Sequence, residues 1–555
     1  MFKKLLFLIF LLQTLFSTPV PSTVYLQNGT FTVVSDILDP AGVAYGLYDS
    51  SLFENGWDTL SLTTNTHPQP YSDYEKAYGL GFLEGVLTEK RIYDHFTNIY
   101  RLNYYYENEG KMPQYVSDFF IKQRVWIQES FLRNQDDTYW QNVYAIFLQL
   151  EGLIDGYNSV ASSEKQISYT DFQVIASDSD ISDVLMIDPG HRPNYEGLNT
   201  SEIENIIDHK LHCSALIKVT DNFSDLYFGH TTWGNYAEMA RIFKEYNTHF
   251  STILVKAQTV SFSSYPGTLG SIDDFYVTSA KLGVMETTNP IFNNDLYNLI
   301  VPETLCYWHR VQVANRMTDN GKDWTEIYSK YNSGTYNNQN MVVDLKKVDP
   351  LNGYVLDGTL WVSEQIPGQI ASGDVTHILR YGYWPSYNIP YFPEIRNVSG
   401  VDLYLSLHPN MRTSYDYETC VRANIFRRDQ GKIQDYEAFK EIFRYNDYLN
   451  DPLSYKNPKF SIASRNDLNT SMFNCTGATD AKISSLSKVF SEEVSISIIS
   501  GPTNGRQPSF EWSTAHCAQD PRYQWVGMPE IFNFTWEEFK PIFDSGVNVH
   551  KGEVA

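Results

Sequence analysis

Apolar side chains recur every three or four positions through residues 74–155, which is the spacing of one face of an α-helix. The clearest stripe consists of Trp140, Val143, Phe147, Leu150 and Ile154. Weaker stripes precede it at Leu83, Leu87, Ile92, Phe96, Ile99, Ile121, Val125 and Leu132. Gly79, Gly81 and Gly85 lie within the helical pattern and miss the spacing of a dinucleotide-binding loop, so we interpret them as helix-packing glycines. The pattern predicts several helices whose apolar faces form a core.

The pattern changes at about residue 213. Residues 162–210 are rich in aspartate and contain prolines and glycines, which predicts a polar loop with little regular structure. Apolar and polar residues then alternate through Ala215, Ile217 and Val219, and a second alternating run follows a short polar turn. Alternation of this kind is typical of strands with one buried face. The sequence therefore predicts a β-hairpin that begins at Cys213.

Further elements are predicted beyond this hairpin. Tyr236, Met239, Phe243 and Tyr246 have helical spacing and predict a short helix. Strand-like runs follow at residues 252–262, 275–285, 341–347 and 354–362. No repeat and no convincing linker divides this part of the chain into further domains.

The N-terminus and the composition indicate an exported globular protein. Lys3 and Lys4 precede an apolar run over residues 5–16 and small residues at 17–19, the pattern of a signal peptide over residues 1–18. The run is shorter than the roughly 20 residues that cross a bilayer, which disfavours the alternative of a transmembrane anchor. A hydrophobic content of 42% predicts a folded core. Loss of the two lysines changes the formal charge from −24 to −26, so nucleic acid is not an expected partner.

Glycosylation and cysteine content support export. Asn-x-Ser/Thr sequons occur at Asn28, Asn199, Asn222, Asn397, Asn469, Asn474 and Asn533. Five cysteines leave at least one thiol unpaired in an oxidising compartment. We predict a disulfide between Cys475 and Cys517, whereas Cys306 and Cys420 could pair or remain buried. Asn474 is expected to be a poor glycosylation site if the neighbouring Cys475 forms its disulfide early.

The search for chemistry leads to Cys213. The sequence contains no zinc-protease, α/β-hydrolase, Walker or Cys-x-x-Cys motif, and its twelve histidines lack metal-ligand spacing, so no metal or cofactor is predicted. A cysteine in a strand is commonly a small apolar residue. Cleavage before Cys213, however, would create a free α-amine with a pKa of about 7.7–8.0, which can serve as a base for the thiol of the same residue.

The chain resembles the phospholipase B-like family. The run from Leu211 to Lys218, the run from Asp225 to Trp233 and Tyr236 are similar to the nucleophile hairpin of that family. The similarity continues through residues 264–267, 273–276, 331–335, 364–368, 383–390, 422–428, 446–448 and 501–503. The resemblance implies an αββα N-terminal-nucleophile hydrolase sandwich, in which two stacked antiparallel sheets lie between helical layers. It also implies self-cleavage of the His212–Cys213 bond, which leaves chains of residues 19–212 and 213–555 packed as one unit.

Several residues are candidates for the site around Cys213. The hairpin returns His230 to the neighbourhood of Cys213, where it either contacts the nucleophile or is an ordinary buried histidine of the sheet. Trp233 is expected to form a pocket wall. By resemblance, Asn388 donates to an oxyanion, Arg422 holds charge near the amine or binds a substrate phosphate, and Thr288 positions the amine.

The resemblance implies an acyl hydrolase that removes fatty acyl chains from glycerophospholipids and is secreted or lysosomal. Two alternatives remain open at this stage. An amidase acting on N-acyl lipids or small acyl amides would use the same thiol chemistry. A glycoprotein that binds lipid or carbohydrate without catalysis would use the abundant aromatic residues alone.

Overall fold

The computed structural model describes residues 18–541, apart from residues 105–110, 196, 199–202, 204–211, 222 and 470–473. The predicted signal peptide, except for its last residue, therefore lies outside the described residues, as do the sequons at Asn199 and Asn222. No helix within the described ranges is both long and apolar enough to cross a bilayer.

The helices are α1 (Leu52–Asn55), α2 (Asp73–Leu87), α3 (Glu89–Tyr104), α4 (Gln114–Arg133), α5 (Thr138–Val160), α6 (Tyr169–Ala176), α7 (Asp178–Leu185), α8 (Tyr307–Met317), α9 (Gly321–Tyr328), α10 (Thr376–Leu379), α11 (Pro393–Ser399), α12 (Val401–Leu407), α13 (Arg412–Tyr415), α14 (Val421–Asp429), α15 (Tyr436–Phe443) and α16 (Leu486–Val489).

The strands are β1 (Val20–Gln27), β2 (Thr30–Ser35), β3 (Ala44–Asp49), β4 (Asp58–Thr64), β5 (His212–Val219), β6 (Leu226–Asn235), β7 (Ile242–Asn247), β8 (Thr259–Ser264), β9 (Phe275–Thr278), β10 (Leu282–Thr288), β11 (Asn338–Asp344), β12 (Val348–Asp349), β13 (Tyr354–Val355), β14 (Leu360–Ile366), β15 (Gln369–Asp374), β16 (Tyr383–Ser386), β17 (Thr476–Ala478), β18 (Asp480–Ser485), β19 (Ile496–Ser500), β20 (Phe510–Glu511), β21 (Ile531–Phe532) and β22 (Glu537–Phe539).

The fold is mixed α+β and contains two large sheets. Among the described residues, the larger sheet has eleven strands in the order β15-β14-β11-β10-β9-β8-β7-β4-β3-β1-β2. The smaller sheet has seven, in the order β16-β5-β6-β18-β19-β22, with β17 also paired to β6. The pairs are antiparallel except β4 with β7, which is parallel. The expectation of purely antiparallel sheets is therefore wrong at this one pair, where a strand from the first part of the chain joins a strand that follows Cys213.

The three largest apolar cores of the described residues hold the two sheets and their helices together. The first lies between the larger sheet and helices α2–α9, the second between the two sheets, and the third between the smaller sheet and helices α14 and α15. Representative side chains are Leu60, Leu153, Val284 and Val311 in the first core, Ile217, Phe228, Met285 and Met341 in the second, and Leu216, Ile425, Phe439 and Ile483 in the third. The two faces of the smaller sheet are thus both buried.

The predicted helices of residues 74–155 are present as α2–α5. Local capping fixes the start of α2, because the Ser72 hydroxyl accepts from the Glu75 amide and the Glu75 carboxylate accepts from the Ser72 amide. One expected apolar face is wrong: Ile121, Val125 and Leu132 of α4 are 47%, 48% and 65% exposed. The buried face of α4 instead comprises Val116, Phe119, Phe120, Ile127 and Phe131.

Two other expectations are wrong. The segment expected to be a polar loop contains α6 and α7, because Ser168 caps α6 and Phe172 and Ile181 enter the core. The helix expected from Tyr236 to Tyr246 is a short 3₁₀ turn followed by strand β7. Every residue of β7 is buried, so the alternation that would have marked it as a strand is missing.

The predicted disulfide between Cys475 and Cys517 is present, with a Cα–Cα distance of 5.2 Å. Cys306 and Cys420 are free thiols and both are buried. Of the sequons in the described ranges, Asn28, Asn397 and Asn533 are exposed, and Asn469 is half-buried. Asn474, next to the disulfide, is 2% exposed, and a glycan on this side chain does not fit the folded structure.

Glycines allow α2 and α5 to pack with their backbones in close contact. A Cβ atom on Gly81 would lie 1.8 Å from the Gln149 carbonyl oxygen, and one on Gly85 would lie 2.2 Å from that of Leu153. On the opposite helix, a Cβ on Gly152 would lie 2.1 Å from the Tyr78 carbonyl oxygen. The structure therefore confirms that Gly81 and Gly85 are helix-packing glycines.

Gly81→Ala is expected to separate these helices and to destabilise the protein by about 1 to 3 kcal/mol, the usual cost of overpacking. Thermal unfolding of the variant and the wild type measures the effect. Gly431→Ala is the control, because no atom lies within 4 Å of a Cβ built at that exposed position. Equal melting temperatures for the two variants would contradict the close helix contact.

Candidate active site

Cys213 is buried at the beginning of the central hairpin. It pairs with Thr232 across β5 and β6, and its side chain has no exposed surface. The Cys213 thiol donates to Oε1 of Glu286 on β10, with an Sγ–Oε1 distance of 3.9 Å. Burial, and next the charge of Glu286, raise the pKa of the Cys213 thiol well above its usual value. The thiol is therefore neutral in this arrangement.

His230 lies beside Cys213, as the hairpin predicted. It pairs with Ala215, and a nitrogen of its ring lies within 4.8 Å of both Cys213 Sγ and a carboxylate oxygen of Glu286. Its Nδ1 is 3.0 Å from Nζ of Lys482. An ammonium group can only donate, so Nδ1 accepts and Nε2 carries the proton of the neutral ring. Burial, and next Lys482, keep the pKa of His230 well below 6.5, which maintains this neutral form.

This proton arrangement does not suit a metal ion. Cys213, His230 and Glu286 have the spacing of a three-ligand metal site. A metal needs a free lone pair on the imidazole, however, and the lone pair of Nδ1 is used by Lys482 while Nε2 carries a proton. The three residues fit a hydrogen-bonded nucleophile better than a metal centre.

Four fully buried charged residues support the hairpin behind Cys213. Arg241 forms ion pairs with Asp273 and Asp480, and Lys482 forms ion pairs with the same two carboxylates. Thr232 joins this network by donating from its hydroxyl to Asp273 at 2.8 Å. Although burial favours protonation, Arg241 and Lys482 hold the pKa of Asp273 well below its usual range. The network therefore contains two cations and two anions and is neutral.

Asn388 and Arg422 hold the main chain of Cys213. The Cys213 amide donates to Asn388 Oδ1 at 3.0 Å, and the Cys213 carbonyl accepts from Arg422 at 2.5 Å. Arg422 also donates to Asn388 Oδ1 at 2.8 Å and to the Tyr387 carbonyl at 2.6 Å. Asn388 has φ +66°, a left-handed conformation that asparagine tolerates better than most residues. Both side chains thus fix the position of the nucleophile itself.

The contacts of Asn388 differ from the role of oxyanion donor that the resemblance implied. Its Nδ2 donates to the Thr288 carbonyl at 2.8 Å, and its Oδ1 faces the Cys213 nitrogen. Thr288 thus contacts Asn388 through its carbonyl. The Arg422 hydrogen bonds likewise go to protein oxygens, which favours a role near the amine over the binding of a substrate phosphate.

A cavity of about 310 Å³ lies next to these residues. Trp233, Thr288 and Arg422 line it, and the Arg422 guanidinium stacks 4.4 Å from the centre of the Trp233 ring. The Trp233 indole also donates to the Ile462 carbonyl at 3.0 Å, which fixes the ring as a wall. Cys213, His230 and Asn388 are not among the described residues that line the cavity. Cys213 is connected to it through Arg422, and Asn388 through Arg422 and Thr288.

Sequence reasoning missed several residues of the site. Glu286 accepts from the Tyr336 hydroxyl at 2.9 Å, and Tyr336 lines the cavity. Burial raises the pKa of Glu286 to about 8, even though the bond from Tyr336 lowers it. Lys482 and Asp273 were also missed as partners of His230 and Thr232. Asp273 falls within a run similar to the family, but its role depends on contacts between residues far apart in the sequence.

Comparisons with known proteins identify the family of the chain. The family described as Phospholipase B matches residues 44–539. Phospholipase B-like protein B of Dictyostelium discoideum is 39% identical over 538 residues, covering 94% of this chain and 90% of the relative. Phospholipase B of Crotalus adamanteus is 38% identical over 92% of this chain and 90% of the relative. Phospholipase B-like 1 of Homo sapiens is 38% identical over 94% of this chain and 91% of the relative. On this evidence, the chain belongs to the phospholipase B family.

Proposed function

We propose that the protein is an acyl hydrolase of glycerophospholipids whose nucleophile is Cys213 after cleavage of the His212–Cys213 bond. One observation carries this proposal. The thiol, the amide nitrogen and the carbonyl of Cys213 each have a dedicated partner, in Glu286, Asn388 and Arg422 respectively. A cysteine that only fills a core has no need for such contacts on both its side chain and its main chain.

Cleavage would turn the Cys213 amide into an α-amine that is already in position. Asn388 Oδ1 is 3.0 Å from this nitrogen and would accept a hydrogen bond from the amine. The nearby Arg422 cation favours the neutral form of the amine, which is the form that can take the thiol proton. The resulting thiolate attacks the acyl carbonyl, and water later hydrolyses the thioester.

His230 acts in this mechanism as a hydrogen-bond donor and not as the general base. The lone pair of Nδ1 is occupied by Lys482, so neither ring nitrogen can take the thiol proton. A ring N–H beside the sulfur stabilises the thiolate once it forms. The base is then the α-amine, in agreement with an N-terminal nucleophile.

The arrangement of layers supports the proposed N-terminal-nucleophile sandwich. The two sheets share one core, and helices cover their outer faces. Residues 19–212 contribute β1–β4 to the larger sheet, and residues 213–555 contribute the remainder. Chains cut at Cys213 would stay joined through the backbone ladder between β4 and β7. The cleaved N-terminal chain is thus a permanent partner of the C-terminal chain.

Membership of the phospholipase B family indicates a hydrolase acting on ester bonds, and the aromatic cavity wall suits an acylated substrate. We further propose a secreted or lysosomal location. The disulfide between Cys475 and Cys517 requires an oxidising compartment for its formation, and Asn28, Asn397 and Asn533 are exposed sequons.

Cys213→Ala is expected to abolish both cleavage and hydrolysis, because it removes the sulfur that attacks in each reaction. The measurement is N-terminal sequencing and intact mass of protein from an exporting host, together with a fatty acid release assay. The wild type should show a new N-terminus at Cys213, and the variant should lose about 10³-fold or more of the activity. Cys306→Ala, at a buried thiol outside the site, is the control. An uncut wild-type chain would overturn the mechanism.

The substrate assignment predicts faster hydrolysis of esters than of amides. Vesicles of a diacyl glycerophospholipid should release fatty acid at least about tenfold faster than an N-acyl lipid with the same acyl chain, because an alcohol leaves the tetrahedral intermediate more readily than an amine. The reverse order would favour an amidase. No release from either substrate by cleaved protein would favour a binding role.

The raised pKa of Glu286 predicts a pH-dependent stability. In the unfolded chain this carboxyl loses its proton near its ordinary pKa of 4.5, whereas in the folded protein it keeps the proton up to about pH 8. The folded state therefore binds the extra proton between these values, and stability is lost as the pH rises through this window. The melting temperature of the wild type should fall from pH 5 to pH 8 by more than that of Glu286→Gln, by the equivalent of about 1 kcal/mol or more. Parallel curves would show that Glu286 is ionised in the folded protein.

A further inference from the structure

The side chain of Asn289 is buried, yet neither of its polar atoms has a hydrogen-bond partner among the described residues. It directly follows β10, lines the cavity and is only 3% exposed. Its main chain is fixed, because its amide donates to the Asn337 carbonyl at 2.7 Å. Its side chain, by contrast, has no hydrogen-bond partner for either Oδ1 or Nδ2 among the described residues. A buried amide group without hydrogen bonds destabilises the fold, and a bound ligand that forms those hydrogen bonds would remove this cost.

The position of Asn289 connects it with the nucleophile. The preceding residue, Thr288, accepts from Asn388 through its carbonyl, and Asn388 in turn holds the nitrogen of Cys213. Asn289 is therefore a residue of the cavity wall whose neighbour in the chain, Thr288, is two hydrogen bonds away from Cys213. A substrate bound in this cavity would contact the wall to which Thr288 and Asn289 belong.

The proposed reaction needs a donor for the acyl oxygen in addition to the His230 N–H, which the mechanism places beside the sulfur. Attack of a thiolate on a carbonyl pushes the π-electron pair onto oxygen, and this oxyanion must be stabilised by a donor already in place. The Nδ2 of Asn388 is occupied by the Thr288 carbonyl. The described hydrogen bonds of Arg422 go to protein oxygens. The Nδ2 of Asn289 is buried, belongs to a residue of the cavity wall and has no such partner among the described residues.

We propose that Asn289 contacts the substrate and donates from Nδ2 to the carbonyl oxygen of the scissile acyl group. This inference rests on the proposed role of Cys213. The Cys213 amine takes the thiol proton, sulfur bonds to the acyl carbon, and the oxyanion is held by Asn289. When the carbonyl re-forms, the bond to the alcohol oxygen breaks and that oxygen takes the proton from the ammonium. Water then hydrolyses the thioester and releases the fatty acid.

Two reactions of the Cys213 thiol distinguish a role of Asn289 as an oxyanion donor from a purely structural role. Acylation by a p-nitrophenyl fatty ester passes through an oxyanion and is measured as the burst of p-nitrophenolate. Disulfide formation with methyl methanethiosulfonate involves no carbonyl. Because Cys306 and Cys420 are also free thiols, the modification is followed at Cys213 by mass spectrometry, where it reports on the reactivity and access of that thiol. Asn289→Ala should slow acylation by about 100-fold, as expected for loss of one oxyanion donor, and leave disulfide formation nearly unchanged.

Asn289→Asp refines the test, because it keeps an acceptor oxygen of the same shape but lacks the N–H. It should slow acylation as much as Asn289→Ala does. Asn315→Ala is the matched control, since Asn315 is also a buried asparagine with an unpartnered Nδ2 among the described residues, and it does not line the cavity. It should leave both reactions close to those of the wild type.

The remaining outcomes overturn the proposal in distinguishable ways. Wild-type acylation rates in Asn289→Ala and Asn289→Asp would remove the inference and leave the role of Cys213 intact. An equal loss in both reactions, or failure of both variants to yield a chain that begins with Cys213, would assign Asn289 a structural role. A wild-type protein that forms the disulfide but is never acylated would overturn the proposed function, and this inference with it.

Discussion

The site depends on a neutral group of buried charges at the end of the two sheets. Arg241 and Asp273 belong to the connections of the larger sheet, and Asp480 and Lys482 belong to β18 of the smaller one. All four side chains are fully buried, so removal of one would leave its partner charge unpaired, at a cost of about 3–5 kcal/mol. The pairs therefore fix how the sheets meet, and the position of Cys213 relative to Glu286 follows from that.

The same group determines the chemistry of its neighbours. Because Lys482 donates to His230, the imidazole is held neutral with its proton on the nitrogen that Lys482 does not contact. Because the surroundings are dry, Cys213 and Glu286 both favour their protonated forms. In the proposed mechanism, the amine created by cleavage is the base that takes the thiol proton during substrate hydrolysis. The uncut chain lacks this amine, so substrate hydrolysis begins only after cleavage.

Short-range patterns predicted those parts of the fold in which apolar residues recur with the period of the element. The hairpin at Cys213 and the long helix α5 are of this kind, although both faces of the hairpin are buried. Asp180 and Asp183 resemble loop residues in the sequence, but they accept from the amides of Tyr307 and Tyr336. Those partners lie more than a hundred residues away, and nothing in the local sequence reveals them. Strand β7 was missed for a related reason, since burial of every residue removed its alternation.

Residue roles were harder to predict than residue positions. The resemblance correctly placed Asn388 next to Cys213, but the direction of its amide depends on the carbonyl of Thr288, which belongs to another strand. The amide of a residue in a recognised motif can thus be hydrogen-bonded within the protein, while a residue outside any motif lines the cavity. Asn289 belongs to no motif identified in the sequence. It is distinguished by its buried side-chain donor and acceptor, neither of which has a partner among the described residues. A polar atom at the wall of a cavity that has no hydrogen-bond partner in the protein gains one when a suitable ligand binds.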